Sequence, residues 1–334
     1  MAERATVQMV TQIGKETVAK GTPVAAAIRL PATSFETGIQ ANVRPFRAAG
    51  TKYNSITALG REWVQARITG QAAYGDLAYL LASIMRAPTS AQQGATTAYK
   101  HTYDLALSAP DNVVTFSVEQ GDPSTYVSGV KAHKWNYGLV SELGIEFARD
   151  EVMVSGLMIG REFANLSTTM TAATAIQAVP IQGPEVSVFL DPTLGNIGTT
   201  RLTRALRTNW QLSGRFNPLW TLNAAATSWA AEVEAAPELS LSLMMAADAV
   251  GMGPLTNLRN GETAFIRVDA TSTVLAGVAY PHRLQLDMAC KVTGVSDFSD
   301  EDGVYAIEWT FAGVPELTDS KPCKIELTNK VVSV

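Results

Sequence analysis

The chain has 334 residues, 46% of them hydrophobic and 17% charged, which is apolar material for a large core and length for about two domains. Its formal net charge of −5 argues against a generic nucleic-acid binder, which needs a basic face to displace counterions from phosphates. The longest apolar run, residues 77–85, is less than half the ~20 residues that a membrane-spanning helix requires, so no bilayer-spanning segment is expected.

Residues 1–27 are polar and irregular, broken by Gly14, Gly21 and Pro23, and read as an extended arm that a neighbour would order. Glu3 beside Arg4 and the lack of an apolar core there do not fit a secretory signal. A reducing, cytosolic birthplace is therefore expected, with Cys290 and Cys323 reduced, since two cysteines are too few for a disulfide framework. Over 28–61, scattered apolar residues among Pro31, Gly38, Pro45, Gly50 and Gly60 read as short extended segments joined by loops. Residues 62–69 have the period of a strand, with Val64, Ala66 and Ile68 against Trp63, Gln65, Arg67 and Thr69. From Asp76 the period turns helical through Leu77, Leu80, Leu81 and Ile84, with Asp76 placed to cap and Pro88 to stop the run. The polar stretch 89–98, containing Gln92, Gln93 and Gly94, is a candidate mobile loop.

Strands are predicted over 99–105, 112–119 and 125–135, and a hairpin over 138–149 and 151–159 about a tight Arg149-Asp150 link. Small and polar residues over 167–182 mark a boundary, after which the order of elements starts again. Extended segments over 185–190, 202–212 and 238–245 precede a Gly- and Pro-broken helical segment near 248–259. Strands over 262–269, 281–292, 303–313 and 323–332 complete the chain. The strand at 67–70, its helix and 114–120 match 241–247, a helical turn and 265–269. The closing hairpin 144–156 matches 295–313, with Ile145 and Phe147 echoed by Ile307, Trp309 and Phe311. The expected fold is mainly β with a few short helices (α+β): an arm (1–27), a first β unit (28–166), a linker (167–182) and a second β unit (183–334).

No stretch carries a catalytic or metal-binding pattern. His101, His133 and His282 lack ligand spacing, and Gly251-Met252-Gly253-Pro254 lacks the third glycine of a dinucleotide fingerprint. The acidic run 297–303 suggests a calcium loop until its first and twelfth positions fall on Phe298 and Trp309, so it reads as a solvated hairpin turn. Glu146 and Glu151 flank a hairpin, with nothing to set them apart as the paired carboxylates of a glycosidase. The six tryptophans read as sheet core or subunit interface rather than as sugar- or base-stacking platforms. No enzyme, no cofactor and no metal are expected.

The stretch from Gln12 to Ala26, with Gly14-Lys15-Glu16-Thr17 and Gly21-Thr22-Pro23-Val24-Ala25, resembles the opening of tail tube proteins of long-tailed, siphophage-like bacteriophages. The resemblance continues through the turn into the helix at 70–81, the strand Phe116-Ser117-Val118-Glu119-Gln120-Gly121, and Val154-Ser155-Gly156-Leu157-Met158-Ile159-Gly160. It covers the first half of the chain; the second half follows only in its order of elements. It implies two tandem tube-like β-sandwich or barrel domains, each flanked by a helix, in a virion protein whose rings stack into a hollow tail for ejection of double-stranded DNA. A chain with two such domains closes as a trimer with pseudo-sixfold symmetry. The implied partners are further copies of the chain, the tape measure protein, and tail terminator and baseplate proteins, with DNA passing unbound and no membrane insertion. Assembly falls in the bacterial host cytoplasm. Gly14, Lys15, Glu16, Thr17, Gly21, Thr22 and Pro23 are candidates for an assembly arm, and Gln92, Gln93 and Gly94 for a loop between rings. Competing readings are another tail component (terminator, baseplate or decoration protein), a carbohydrate-binding module and a cell-wall hydrolase.

Overall fold

The period-two stretch around Val64 extends in both directions into one arm of a long hairpin. A computed structural model describes residues 8–123, 132–161, 163–167, 169–222 and 227–334. Strands β1 (Val10–Lys15) and β2 (Ile28–Leu30) lead into β3 (Thr33–Phe46), which pairs antiparallel with β4 (Ile56–Gln71) from Thr33 opposite Gly70 to Phe46 opposite Ile56. Val64, Ala66 and Ile68 of β4 are fully buried, whereas Gln65, Arg67 and Thr69 face outward. Helix α1 (Tyr74–Ile84) follows directly and is buried on every side, because sheet strands flank it on more than one face. Asp76 does not cap it. Ala73 holds the cap position without a side-chain bond, and the Asp76 carboxylate instead accepts from the Ala32 N–H (3.0 Å) and the Thr33 hydroxyl (2.9 Å), tying the helix to the start of β3.

The first half continues through β5 (Thr89–Gln92), β6 (Tyr99–Asp104), β7 (Phe116–Gly121), β8 (Ala132–Ala148), β9 (Val152–Gly160), β10 (Phe163–Ser167) and β11 (Thr174–Ala175). The second half holds β12 (Val186–Asp191), β13 (Ala205–Ser213), β14 (Phe216–Leu219), β15 (Ala231–Glu234) and β16 (Glu238–Ala246), then helix α2 (Pro254–Asn260). Strands β17 (Thr263–Gly277), β18 (Tyr280–Val295), β19 (Ser299–Glu301), β20 (Val304–Gly313) and β21 (Cys323–Asn329) complete it. The fold is mainly β, with two α-helices among the described residues. All strands except the β14–β15 pair are joined in one hydrogen-bonded network.

Two expectations change. Residues 10–15 are no free arm: β1 lies between β2 and β7 with Thr11, Gln12 and Ile13 buried, since a strand with partners on both edges satisfies its backbone inside the sheet. Residues 174–181 are likewise fastened to the first half. β11 pairs with β2, Val179 accepts from the Tyr74 N–H, and Val179 and Ile181 are buried beside the helix start.

Candidate assembly surfaces

The pairing scheme of the sheet occurs twice along the chain. In the first half β3 pairs with β4, β4 with β9, β9 with β8, β8 with β7, and β7 with β1. In the second half β13 pairs with β16, β16 with β20, β20 with β18, β18 with β17, and β17 with β12. Helix α1 follows β4 as α2 follows β16. Strands β9 and β10 lie in succession along one edge of β8, as β20 and β21 do along β18.

The match extends to single residues. A one-residue register slip falls between Val140 and Glu142 on β8 and between Val292 and Gly294 on β18. Gly160 and Gly313 end the equivalent strands β9 and β20. A Cβ at Gly160 would stand 2.3 Å from the Trp135 ring on β8 and one at Gly313 2.5 Å from the end of the Leu239 side chain on β16, so each strand ends against a large side chain, supplied from a different flanking strand in the two halves. The register corrects one expected correspondence: Ile307, Trp309 and Phe311 lie on β20, the counterpart of β9, whereas Ile145 and Phe147 lie on β8, the counterpart of β18.

The two halves meet edge to edge. The C-terminal part of β8 carries β9 on one edge and β13 on the other, with Leu143 opposite Leu212 and Ala148 opposite Arg207. Eight strands therefore run in the order β3, β4, β9, β8, β13, β16, β20, β18. One face of this sheet is packed with Ile68, Ile145, Trp210, Leu241 and Phe311. The other is polar, and Glu36, Gln40, Gln65, Arg67, Glu142 and Ser155 border a shallow depression in its first half. Arg207 and Glu146 pair across the joint on this face at 3.7 Å.

The N-terminal candidates form a folded clip. The buried Glu16 carboxylate accepts from the Gly21 N–H (2.5 Å), the Thr115 hydroxyl (2.7 Å), the Ser117 hydroxyl (3.0 Å) and the Tyr137 N–H (2.8 Å). Lys15 Nζ donates to the Val334 carbonyl at 2.5 Å, and Gly21 takes φ +79°, which lets its carbonyl receive Asn136 Nδ2 at 2.6 Å. Gly14 packs so closely on the Ala25 carbonyl that a Cβ would approach it to 2.3 Å, and Thr22, near Pro23, closes a turn onto Ala19. Gln92 and Gln93 also differ from a mobile loop. Gln92 ends β5, which pairs with β6; Gln93 caps the turn by donating to the Ala91 carbonyl; and Gly94 supplies φ +60°.

Among the described residues no group of three or more His, Cys, Asp or Glu side chains is placed to hold a metal ion. His101 is buried and bonded to Ser90, Asn329 and Val331, while His282 is buried beside Tyr74. Trp135, Trp210, Trp229 and Trp309 fill the interior, and Trp63 meets Trp220 edge-on with Arg61 over the Trp220 ring. The acidic run closes the β19–β20 turn, where Asp302 (φ 51°) and Gly303 (φ 81°) take the left-handed conformations of a tight hairpin and the Asp300 carboxylate accepts from the Gly303 N–H. No family model and no curated protein matches the chain. The edge of β3 away from β4, which has no strand partner among the described residues, was not found from sequence, although Phe35, Thr37, Ile39 and Ala41 alternate with Ser34, Glu36, Gly38 and Gln40.

Proposed function

We propose that this chain is a structural tube-forming protein of a long-tailed bacteriophage, which closes as a ring of three copies and stacks into a hollow conduit for double-stranded DNA. The observation that carries this reading is the sheet scheme that occurs twice in one chain, joined side by side through β8 and β13. A unit that can sit beside its own copy within a chain can do so between chains. Such a side-by-side contact, repeated with a fixed rotation, closes a ring. Each half contributes four strands to the row, so three chains supply six equivalent wedges. The resemblance of the first half to tail tube proteins points to the same stoichiometry.

The polar face of the row suits a lumen wall. Glu36, Glu142, Glu146, Glu238 and Glu308 stand on its outward-facing positions against Arg61, Arg67, Arg207 and Lys291, and a wall without a basic excess does not hold phosphates and slow their passage. Negative-stain images and a mass measurement on the purified chain at rising concentration test the reading. Three-copy rings and uniform hollow fibres are expected; compact single chains at every concentration would overturn it.

A further inference from the structure

The packed face of the eight-strand row does not close at the end nearest the β8–β9 turn. There Phe147 of β8 and Thr208 of β13 lie opposite one another, both buried. Val186 and Val188 of β12, with Leu202 of the segment that leads into β13, complete the walls. A cleft of about 430 Å³ opens between the two layers, within the range of small-ligand sites. Its floor is apolar, since Phe147, Val188 and Leu202 are all buried.

Three arginines ring the mouth and no acid lines it: Arg149 at the β8–β9 turn, Arg201 on the β12 side, and Arg207 on β13. Backbone bonds hold the first two in place. Arg201 bridges antiparallel to Phe189, and the next N–H, that of Leu202, donates to the Val188 carbonyl at 2.8 Å. Arg149 sits in the tight turn that the Ala148 N–H closes on the Glu151 carbonyl at 3.1 Å. Arg207 pairs with Glu146 at 3.7 Å, whereas Arg149 and Arg201 have no ion pair among the described residues. Asp150 and Glu151 of the same turn are exposed and do not line the cleft. Two guanidiniums from opposite walls are therefore left unneutralised above an apolar floor. A second cleft lies at the equivalent place in the first half, with β1 standing for β12 and β3 for β13, and Val10, Thr11, Thr33 and Phe35 border it. Its one arginine, Arg29, is accompanied by Glu36, so of the two clefts only the one at the joint has a net positive rim.

We propose that this cleft binds an amphiphilic oxyanion, with an alkyl or aryl body against the apolar floor and a carboxylate or phosphate head held by Arg149 and Arg201. The planar guanidinium fork matches either head, and charge-assisted hydrogen bonds are the strong ones. An inorganic anion leaves the floor uncovered, and a neutral alcohol leaves the arginines without a partner. The site therefore asks for both parts in one molecule. Its walls come from both halves, Phe147 and Arg149 from the first and Val188, Arg201 and Leu202 from the second, so an occupant braces the joint between them. The site belongs to the single chain and does not depend on the ring reading.

Isothermal titration calorimetry on the full chain tests it, with octanoate and octyl phosphate as probes and octanol and inorganic phosphate as controls. Saturable binding of one molecule per chain is expected for at least one probe, at least ~10-fold tighter than for either control, and the tighter probe names the head. Arg149→Ala/Arg201→Ala removes two exposed side chains, so its melting is expected to match that of the parent while its affinity for that probe falls at least ~10-fold. As a second variant, Thr203→Glu places a carboxylate at an exposed position on the rim, where it engages the arginines in the ligand's place. It is expected to block both probes without lowering the melting temperature. Either control binding as tightly as the probes would overturn the site, as would either variant binding the probe as the parent does. The absence of saturable binding by both probes would overturn it as well.

Discussion

At the scale of single residues, two buried groups set how the chain responds to pH and to mutation. His282 is buried beside Tyr74, ring centroids 5.5 Å apart, and neither of its ring nitrogens has a hydrogen-bond partner. Burial, assisted by Lys330 and opposed by Glu185, pushes its pKa down from 6.5 to about 4. The folded chain thus favours neutral histidine, and the unfolded chain takes up the proton first. Its contribution to stability is complete above pH 6.5 and is lost as pH falls toward 4, a change on the order of 3 kcal/mol. Urea denaturation between pH 7 and pH 4.5 is expected to show a smaller loss for His282→Leu than for the parent; equal slopes would remove His282 from the account. Arg215 is the second such group. Its guanidinium bonds to Asp111 (2.8 Å), Glu234 (2.9 Å) and the Ile84 carbonyl (2.9 Å), which closes the C-terminal turn of α1. Arg215→Met strands the buried Asp111 carboxylate and is expected to cost about 3–5 kcal/mol in denaturant midpoint measurements, with much of that restored in Arg215→Met/Asp111→Leu. Neither role was visible in sequence, because Tyr74, Asp111 and Ile84 lie more than 100 positions from the groups they meet and a lone charge carries no sign of its partner.

At the scale of elements, the sequence was readable wherever one face of a strand is buried and the other wet. The β8–β9 turn, β9, β16, β18 and β20 stand within a few residues of their predicted bounds, and the switch from period two to helical spacing located α1, whereas β8 is one strand from Ala132 to Ala148 where two were expected over 125–135 and 138–149. Strand β3 was hidden by Gly38, Pro45 and the exposure of Ile39 and Val43, which blur the alternation that a covered strand would show. The N-terminal clip was hidden for a different reason: Val10 and Ile13 are the only large apolar residues over 10–15, yet a strand with partners on both edges buries Thr11 and Gln12 as readily as Ile13. Helix capping misled because Asp76 is used across the fold, on β3, rather than along its own helix. The repeated glycines give this scale its test. Gly160→Ala drives a methyl group into the Trp135 ring and is expected to destabilise the chain by about 1–3 kcal/mol, as overpacking does. An equal loss for Gly313→Ala would show that the two strand ends are closed alike, and a neutral effect at both would count against the structural equivalence of β9 and β20.

At the scale of the whole molecule, the register fixes two poles. Strand β4 meets β9 from Val64 opposite Gly160 to Gln71 opposite Met153, so the β3–β4 hairpin projects beyond one end of the row and the β8–β9 turn lies at the other. The β19–β20 turn shares that second end, because Met245 of β16 faces Ile307 and Arg207 of β13 faces Ala148. The poles differ in charge. From residue 42 to 61 the hairpin carries Arg44, Arg47, Lys52 and Arg61 and no acid, with Phe46 and Tyr53 exposed. From residue 297 to 308 the β19–β20 turn at the opposite pole carries Asp297, Asp300, Glu301, Asp302 and Glu308 and no base, with Phe298 and Tyr305 exposed, while the β8–β9 turn at the same end adds Arg149, Asp150 and Glu151. If rings stack head to tail as proposed, unlike poles meet at every level and the contact never closes, which is the condition for a filament with one direction. If ring closure rests on uncharged side-by-side contacts like the β8–β13 joint and stacking rests on charge, the two respond differently to salt, since exposed charges are screened over about 8 Å at 0.15 M and about 3 Å at 1 M. Raising salt to 1 M is expected to shorten fibres in micrographs while three-copy rings persist. Arg44→Glu/Arg47→Glu is expected to stop growth at single rings, and adding Asp300→Lys/Glu301→Lys to the same chain to restore fibres. Fibres of unchanged length in both the high-salt sample and the arginine variant would place the stacking contact elsewhere on the two poles.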